Sequence, residues 1–379
     1  MQLVWSTDEY KLGGLPIVGF PLHLHLDGTI NFAFHSFLVD QLLQRGSAPS
    51  KATWKFYGYA IHGFLSFLEI SNRCWNEQSI QGQPSVVAGY RIWMLNNSKG
   101  RGTINGRLDV LTRFYLFAQK HGYVTELPFG LITRPPSHHY DSGTHSKRSP
   151  GAAFDAPDIK LKTVRRTIKV LSAAQASAFL GGFSNATHKL MARLQLATGI
   201  RVEELVSFPL RYVVDPRAYP SVTSFFSVRL DCKDMRTKGS VSRTIHVPRD
   251  LMAMLWGHMS VERSSRARYS HGDQKQLFLT EEGREYKTRS VWKIYQLSTA
   301  PGTRVNPHML RHTYATHTLR ALANVMNIGN ALFYVRNRLG HASIKTTEMY
   351  LHYIDDAVVS VMDKYQSELT AIVTFEEKN

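Results

Sequence analysis

Asn306-Pro307-His308-Met309-Leu310-Arg311-His312-Thr313-Tyr314-Ala315-Thr316-His317, followed downstream by Leu339-Gly340-His341-Ala342-Ser343-Ile344-Lys345-Thr346-Thr347-Glu348-Met349-Tyr350, is the part of the chain around which the rest is organised. His308 and Arg311 stand three residues apart, a spacing that puts both side chains on one face of a helix. Leu310, Tyr314 and Leu319 can then turn toward a core. The second stretch presents His341 behind a Leu-Gly turn, and Tyr350 shortly after it. An arginine, two histidines and a tyrosine suit a phosphodiester. Guanidinium grips non-bridging oxygens with a two-pronged donor, imidazole adds donors or moves protons, and a phenol can attack phosphorus.

These residues resemble the tyrosine recombinase (phage integrase) family, which carries His-x-x-Arg-His-Thr-x-Ala-Thr and then Leu-Gly-His…Thr-Thr…Tyr. Upstream, Ala197-Thr198-Gly199-Ile200-Arg201-Val202-Glu203-Glu204-Leu205 resembles the segment that holds the family's first arginine. Three motifs in the right order, with the nucleophile last, make a specific signal. The likeness covers the C-terminal half well and the N-terminal half loosely. The family also has a lysine just before a glycine on a β-hairpin. Lys238 in Arg236-Thr237-Lys238-Gly239-Ser240 matches it, with Lys233 the competitor. The resemblance thus implies a catalytic set of Arg201, Lys238, His308, Arg311, His341 and Tyr350.

Attack on a DNA phosphodiester raises the negative charge on the phosphoryl oxygens. Arg201 and Arg311 are expected to hold those oxygens from two sides, with His308 and His341 as further donors. Tyr350 is the expected nucleophile. A phenol with an ordinary pKa of about 10 is mostly protonated at neutral pH, so a base or the arginine field must help. His308 is the candidate base, and Lys238 the candidate acid for the leaving 5′-oxygen. By resemblance, the product is a 3′-phosphotyrosine with a free 5′-hydroxyl, formed without ATP, metal or cofactor. Tyr314 and Tyr353 are the other possible nucleophiles, and Tyr314 reads as core. His308 and His312 have the spacing of a metal pair, but Met309 stands where a metallopeptidase has glutamate. The spacing from Arg311 to His341, 30 positions, is longer than in most members, with the extra residues expected within Arg320–Arg336.

Composition agrees with a polyanionic partner. Lysine and arginine number 46 against 29 aspartates and glutamates, a net charge of +17. At 379 residues the chain suits two domains. Cys74 and Cys232 lack metal-ligand spacing and point to a reducing compartment. Asp8 and Glu9 stand where a signal peptide would be basic. The expectation is a cytoplasmic, nucleoid-associated protein of bacterial or phage type, away from membranes.

In chain order, residues 1–30 read as a strand-like N-terminal extension, with His23 and His25 on one polar strand face. Residues 31–132 read as a helical core-binding domain, because apolar residues recur at helical spacing, as in Phe34, Phe37, Leu38 and Leu42. Its basic residues Arg101, Arg107 and Arg113 are candidate DNA contacts. Residues 133–169 form a basic linker whose Lys147, Arg148, Arg165 and Arg166 are further candidates, since each cation near phosphate releases counterions. Residues 170–354 read as the catalytic domain. It opens on a capping box, Ser172 with Gln175, and contains strands near Val222–Leu230 and Thr244–Pro248. Glycine at 199 permits the left-handed turn that ends a helix and delivers Arg201, with Glu204 placed to orient it.

Residues 355–379 read as a tail whose Val358, Val361, Met362 and Tyr365 form a helical apolar stripe, exchanged between protomers by family resemblance. The expected fold is mainly α with a small antiparallel β-sheet, arranged as a two-domain DNA clamp. The expected function is a site-specific recombinase acting on double-stranded DNA sites through a Holliday junction. It would be a homotetramer on DNA and a monomer or weak oligomer when free. A type IB topoisomerase and a non-catalytic DNA-binding regulator on the same fold are the alternatives.

Overall fold

The computed structural model describes residues 1–45, 50–134, 154–162, 168–237, 239, 241–270, 272, 274–298, 304–341 and 343–351. They fall into two compact units, one within residues 1–165 and the other within 166–379.

The first unit is helical with a β trim. Strands β1 (Gln2–Trp5), β2 (Lys11–Leu12), β3 (Leu15–Pro16) and β4 (Pro21–Leu24) form two antiparallel pairs, β1 with β4 and β2 with β3. Helices α1 (Phe32–Val39), α2 (Lys51–Ser71), α3 (Val86–Asn96) and α4 (Arg101–Lys120) follow, then the pair β5 (Leu131–Arg134) and β6 (Phe154–Pro157). Helix α2 starts on Ser50, whose hydroxyl accepts from the Thr53 amide at 3.3 Å, and stops on Asn72 in the left-handed conformation. Its buried face, including Ile61, Phe64, Leu65 and Leu68, meets an aromatic core in which Phe34 and Phe114 stack at 4.1 Å. The N-terminal stretch does more than extend from this unit. Phe20 and Leu22 are buried in its core, and buried His23 sets its Nε2 against the Gly58 carbonyl at 3.1 Å. Burial draws that imidazole down to about 4, so His23 is an uncharged core residue and not part of a polar face.

The second unit opens with α5 (Ala173–Gly181), where the Ser172–Gln175 capping box forms with both hydrogen bonds in place. Next come α6 (Ala186–Thr198), α7 (Val202–Val206), β7 (Phe225–Leu230), β8 (Arg243–Pro248), α8 (Arg249–His258), α9 (Ser264–Ala267), α10 (Thr288–Leu297), α11 (Pro307–Ala323), α12 (Ile328–Leu339) and α13 (Lys345–Glu348). β7 and β8 pair antiparallel from Phe225↔Pro248 to Leu230↔Arg243. Alternation turns Phe226, Val228 and Leu230 inward, opposite the inward Arg243, Ile245 and Val247. Helix α11 begins on Asn306, whose side chain accepts from the Met309 amide at 3.0 Å, with Pro307 at the first helical position. Leu310 and Leu319 are fully buried and Tyr314 is half-buried, as the spacing implies. The span from Arg311 to His341 is filled by the rest of α11, a turn at 324–327, and α12. A small separate cluster of Ala315, Leu319, Ala331, Leu332, Val335, Leu339 and Tyr350 joins α11, α12 and the segment after α13. Among the described residues, no helix is long and apolar enough to cross a membrane.

Candidate active site

The turn between α6 and α7 sets the first arginine. Gly199 has φ +64°, and a Cβ there would lie 2.3 Å from Tyr314 Cδ1, so both backbone and crowding demand glycine. Gln195, fully buried, donates to the Ile200 carbonyl at 3.0 Å and accepts from Tyr295 at 2.9 Å, which fixes the turn from beneath. Arg201 therefore emerges as the N-cap of α7. Glu204, three positions on, accepts from the Arg201 amide at 2.6 Å and from its Nη1 at 3.2 Å. This is the orienting contact expected of Glu204.

The end of α12 holds the arginines. Carbonyls in the last turn of a helix lack intrahelical partners and carry the negative end of the helix dipole. Here three successive ones meet three different guanidinium groups. Arg243 Nε donates to Arg338 O at 2.8 Å, Arg311 Nη2 donates to Leu339 O, and Arg201 Nη2 donates to Gly340 O at 3.2 Å. Gly340 closes α12 at φ +63°, and a Cβ on it would lie 2.8 Å from Arg243 Cδ. Arg311 also donates to the Gly199 carbonyl at 2.7 Å, which ties the two glycine-capped helix ends together.

Sequence reading had not singled out Arg243. Its Nη1 and Nη2 grip both oxygens of Glu204 at 2.6 and 2.5 Å, and its side chain is 4% exposed against 0% for Glu204. The signal was present in the β8 alternation, which puts Arg243 on the same face as Ile245 and Val247. A charge on the apolar face of a strand requires a buried partner. Burial by itself would raise the Glu204 carboxyl, but hydrogen bonds and charge from Arg243, then Arg201, hold it below the usual range. One carboxylate, bonded to Arg201 and Arg243 and felt by Arg311 through its charge, thus faces three guanidinium groups, an excess of two positive charges. Arg311 is 5% exposed, and burial, followed by repulsion from Arg201 and Arg243, lowers it to about 9. Such a corner is unfavourable by itself and well matched to an anion.

The remaining groups lie around this corner. His341 shares a hydrogen bond of 3.0 Å between its Nδ1 and the hydroxyl of buried Thr347. Burial, then the charges of Arg311 and Arg201, draw it down to about 3, so it is uncharged at neutral pH. Tyr350 is 1% exposed, and burial pushes its phenol up to about 12 against the opposing pull of Arg311 and Arg201. The nitrogen at its hydroxyl is His312 Nδ1, at 2.9 Å. His308, the base expected from sequence, is exposed and sets its ring edge-on to Trp292 at 5.9 Å.

The structure thus brings Arg201, Arg311, His341 and Tyr350 together and adds Arg243, Glu204 and His312. Lys238 lies outside the described residues. Its competitor Lys233 is exposed in the turn after β7, where its amide donates to the Asp231 carboxylate at 3.0 Å. Tyr353 and the 355–379 tail also lie outside the described residues, as do Lys147, Arg148, Arg165 and Arg166. Arg101, Arg107 and Arg113 all stand on α4. Arg101 is exposed and donates to the Lys162 carbonyl at 3.0 Å, half-buried Arg107 donates to the Tyr90 hydroxyl at 3.1 Å, and Arg113 is half-buried. Arg101 is the most exposed of the three. Among the described residues, no group of three or more His, Cys, Asp or Glu has the arrangement of a metal site.

Comparison with known proteins places this geometry in context. Residues 169–356 match the phage integrase family. The chain is 24% identical over 341 residues to tyrosine recombinase XerC of Thermodesulfovibrio yellowstonii, covering 88% of this chain and 95% of that protein. It is 28% identical over 306 residues to XerC of Bacillus pumilus, covering 79% and 87%. Transposase A from transposon Tn554 of Staphylococcus aureus is 25% identical over 367 residues, covering 91% and 94%. Among solved structures, the fold is similar to that of XerH site-specific recombinase bound to its palindromic difH substrate, with TM-score 0.54 and 14% identity over 84% of this chain and 81% of that one. It is also similar to the Tn1549 transposon integrase in complex with transposon right end DNA, with TM-score 0.53 and 18% identity over 84% and 94%.

Proposed function

This chain belongs to the phage integrase family of tyrosine recombinases and is a site-specific DNA strand transferase, and we propose that it cuts and rejoins its sites through a 3′-phosphotyrosine at Tyr350. The observation that carries this reading is the anchoring of Arg201 and Arg311 on the carbonyls of Gly340, Gly199 and Leu339, with the Tyr350 hydroxyl bonded to the residue next to Arg311. A phosphate in that corner would meet fixed donors whose bonds to the protein are already made, so little reorganisation accompanies the build-up of charge. Glu204 and Arg243 hold Arg201 in place, and His341, uncharged, supplies a further donor. Lys238, on the connection between β7 and β8, is the assigned donor to the leaving 5′-oxygen.

The covalent bond conserves the energy of the phosphodiester, so rejoining draws on neither ATP nor metal. Strand exchange between two sites then passes through a Holliday junction within a homotetramer assembled on DNA, with the tail 355–379 as the exchanged element. Arg101 and the linker cations Lys147, Arg148, Arg165 and Arg166 are assigned to phosphate contacts outside the active site. Mobilisation of a genetic element, as the name of the Tn554 relative describes for that protein, is the role we assign.

The test is recombination itself. DNA crosslinked to the chain in cells is recovered and sequenced, and two copies of the recovered site are placed on one supercoiled plasmid. The reading expects deletion or inversion between the sites in EDTA and without ATP. Dependence on either additive, or relaxation of any plasmid regardless of sequence, would contradict it.

A further inference from the structure

We propose that His312 is the general base of strand cleavage, taking the Tyr350 proton on Nδ1 and returning it when the strands rejoin. The assignment rests on the recombinase reading above and concerns a residue outside the expected catalytic set. Arg311 and His312 are neighbours on α11, and successive helical residues project about 100° apart. That divergence sends Arg311 to the Gly199 and Leu339 carbonyls and His312 to Tyr350. The Tyr350 ring is fixed by the cluster of Leu319, Leu332, Val335 and Leu339, so its hydroxyl meets His312 Nδ1 by packing and not by chance rotation.

The chemistry requires such a partner. A buried phenol pushed up to about 12 gives little phenolate at neutral pH. Burial first, then His308 and Arg311, pull His312 down to about 4, so the imidazole is unprotonated and able to accept. A DNA phosphate among the arginines adds negative charge, which favours the imidazolium. The step balances as follows in cleavage. The Tyr350 Oη–H bond breaks as Nδ1–H forms, Oη bonds to phosphorus, and the P–O5′ bond breaks with the 5′-oxygen taking a proton from a second donor, assigned to Lys238. Rejoining reverses each transfer, and the imidazolium then acts as the acid.

The experiment uses the full chain and a nicked duplex carrying the recovered site, from which the cleaved strand diffuses away and traps the adduct. His312→Ala and His312→Gln are expected to form adduct about 10²–10⁴-fold more slowly, with DNA affinity retained. Added imidazole should restore the His312→Ala rate in a saturable manner. Ring-fluorinated tyrosine at position 350, which ionises more readily, should restore His312→Gln. A purely structural role for His312 predicts neither rescue. If His312→Ala does not fold, His312→Gln, which keeps a hydrogen-bonding side chain, carries the test through the fluorotyrosine arm. Cleavage at the wild-type rate in a folded variant, or a loss that neither rescue reverses, overturns the assignment alone. A wild-type chain that forms no adduct overturns the recombinase reading and this assignment together.

Discussion

Arg201, Arg243 and Arg311 are fastened to the end of α12 by backbone carbonyls, and Arg201 and Arg243 to each other through Glu204, whereas Tyr350 follows a single-turn helix, Lys345–Glu348, and its hydroxyl is held by one imidazole. The two sides of one site are thus built differently. Charge stabilisation needs donors in place before the reaction begins, which favours rigid anchoring. The tyrosine side is held instead by apolar packing of the Tyr350 ring and by that one hydrogen bond. The contrast predicts that the arginine side fails as a block when one tie is cut, and that the tyrosine side responds to milder changes.

The largest effect is expected from cutting the Arg243–Glu204 tie. Arg243→Met strips the buried Glu204 of its two-pronged partner and leaves it only the Arg201 contacts, at a cost of up to about 3–5 kcal/mol. Arg236→Met, at the exposed Arg236–Glu285 pair, should cost about 0–1 kcal/mol. Denaturant unfolding of both variants checks the difference, and equal losses would erase the claimed block. Next is Arg311→Lys. It keeps the charge but loses the fork that spans the Gly199 and Leu339 carbonyls. Adduct formation should fall by about 10²–10³ with DNA affinity little changed, and an unimpaired lysine variant would deny that the fork matters.

The smallest effect is a difference in acid response. His312 and His341 are lowered to about 4 and about 3 by folding, from about 6.5 in an unfolded chain. Between those values the unfolded state binds more protons, so stability rises with pH and is lost as pH falls below about 6.5. Glu204 is lowered relative to its unfolded value, so its contribution persists until pH falls below about 4.3. Hydrogen exchange should therefore quicken around 343–351 at a higher pH than around 199–205. Simultaneous loss, or earlier loss at 199–205, would show the two sides to be one unit.

How much of this was legible in the sequence follows the same division. The helix caps at Ser172 and Gly199 were readable because capping depends on local residue chemistry. Arg201, Arg311, His341 and Tyr350 were readable because they sit in compact motifs. Arg243 escaped because its partner Glu204 lies 39 positions away and only strand pairing brings them together. His312 escaped because helical spacing favoured its neighbour His308, and the long return through α12 that carries Tyr350 to its other side leaves no local trace. The N-terminal strands read as an extension because nothing short-range reveals that Phe20 and Leu22 are buried in the helical core.

The central claim is that this corner prepares Tyr350 for covalent attack. Its most direct test is to trap the chain on the nicked duplex, digest the adduct, and identify the peptide that carries DNA. The account predicts DNA on Tyr350, and no adduct from Tyr350→Phe even though that variant binds the duplex as tightly as the parent. An adduct that maps to Tyr353, or one that persists in Tyr350→Phe, would contradict it.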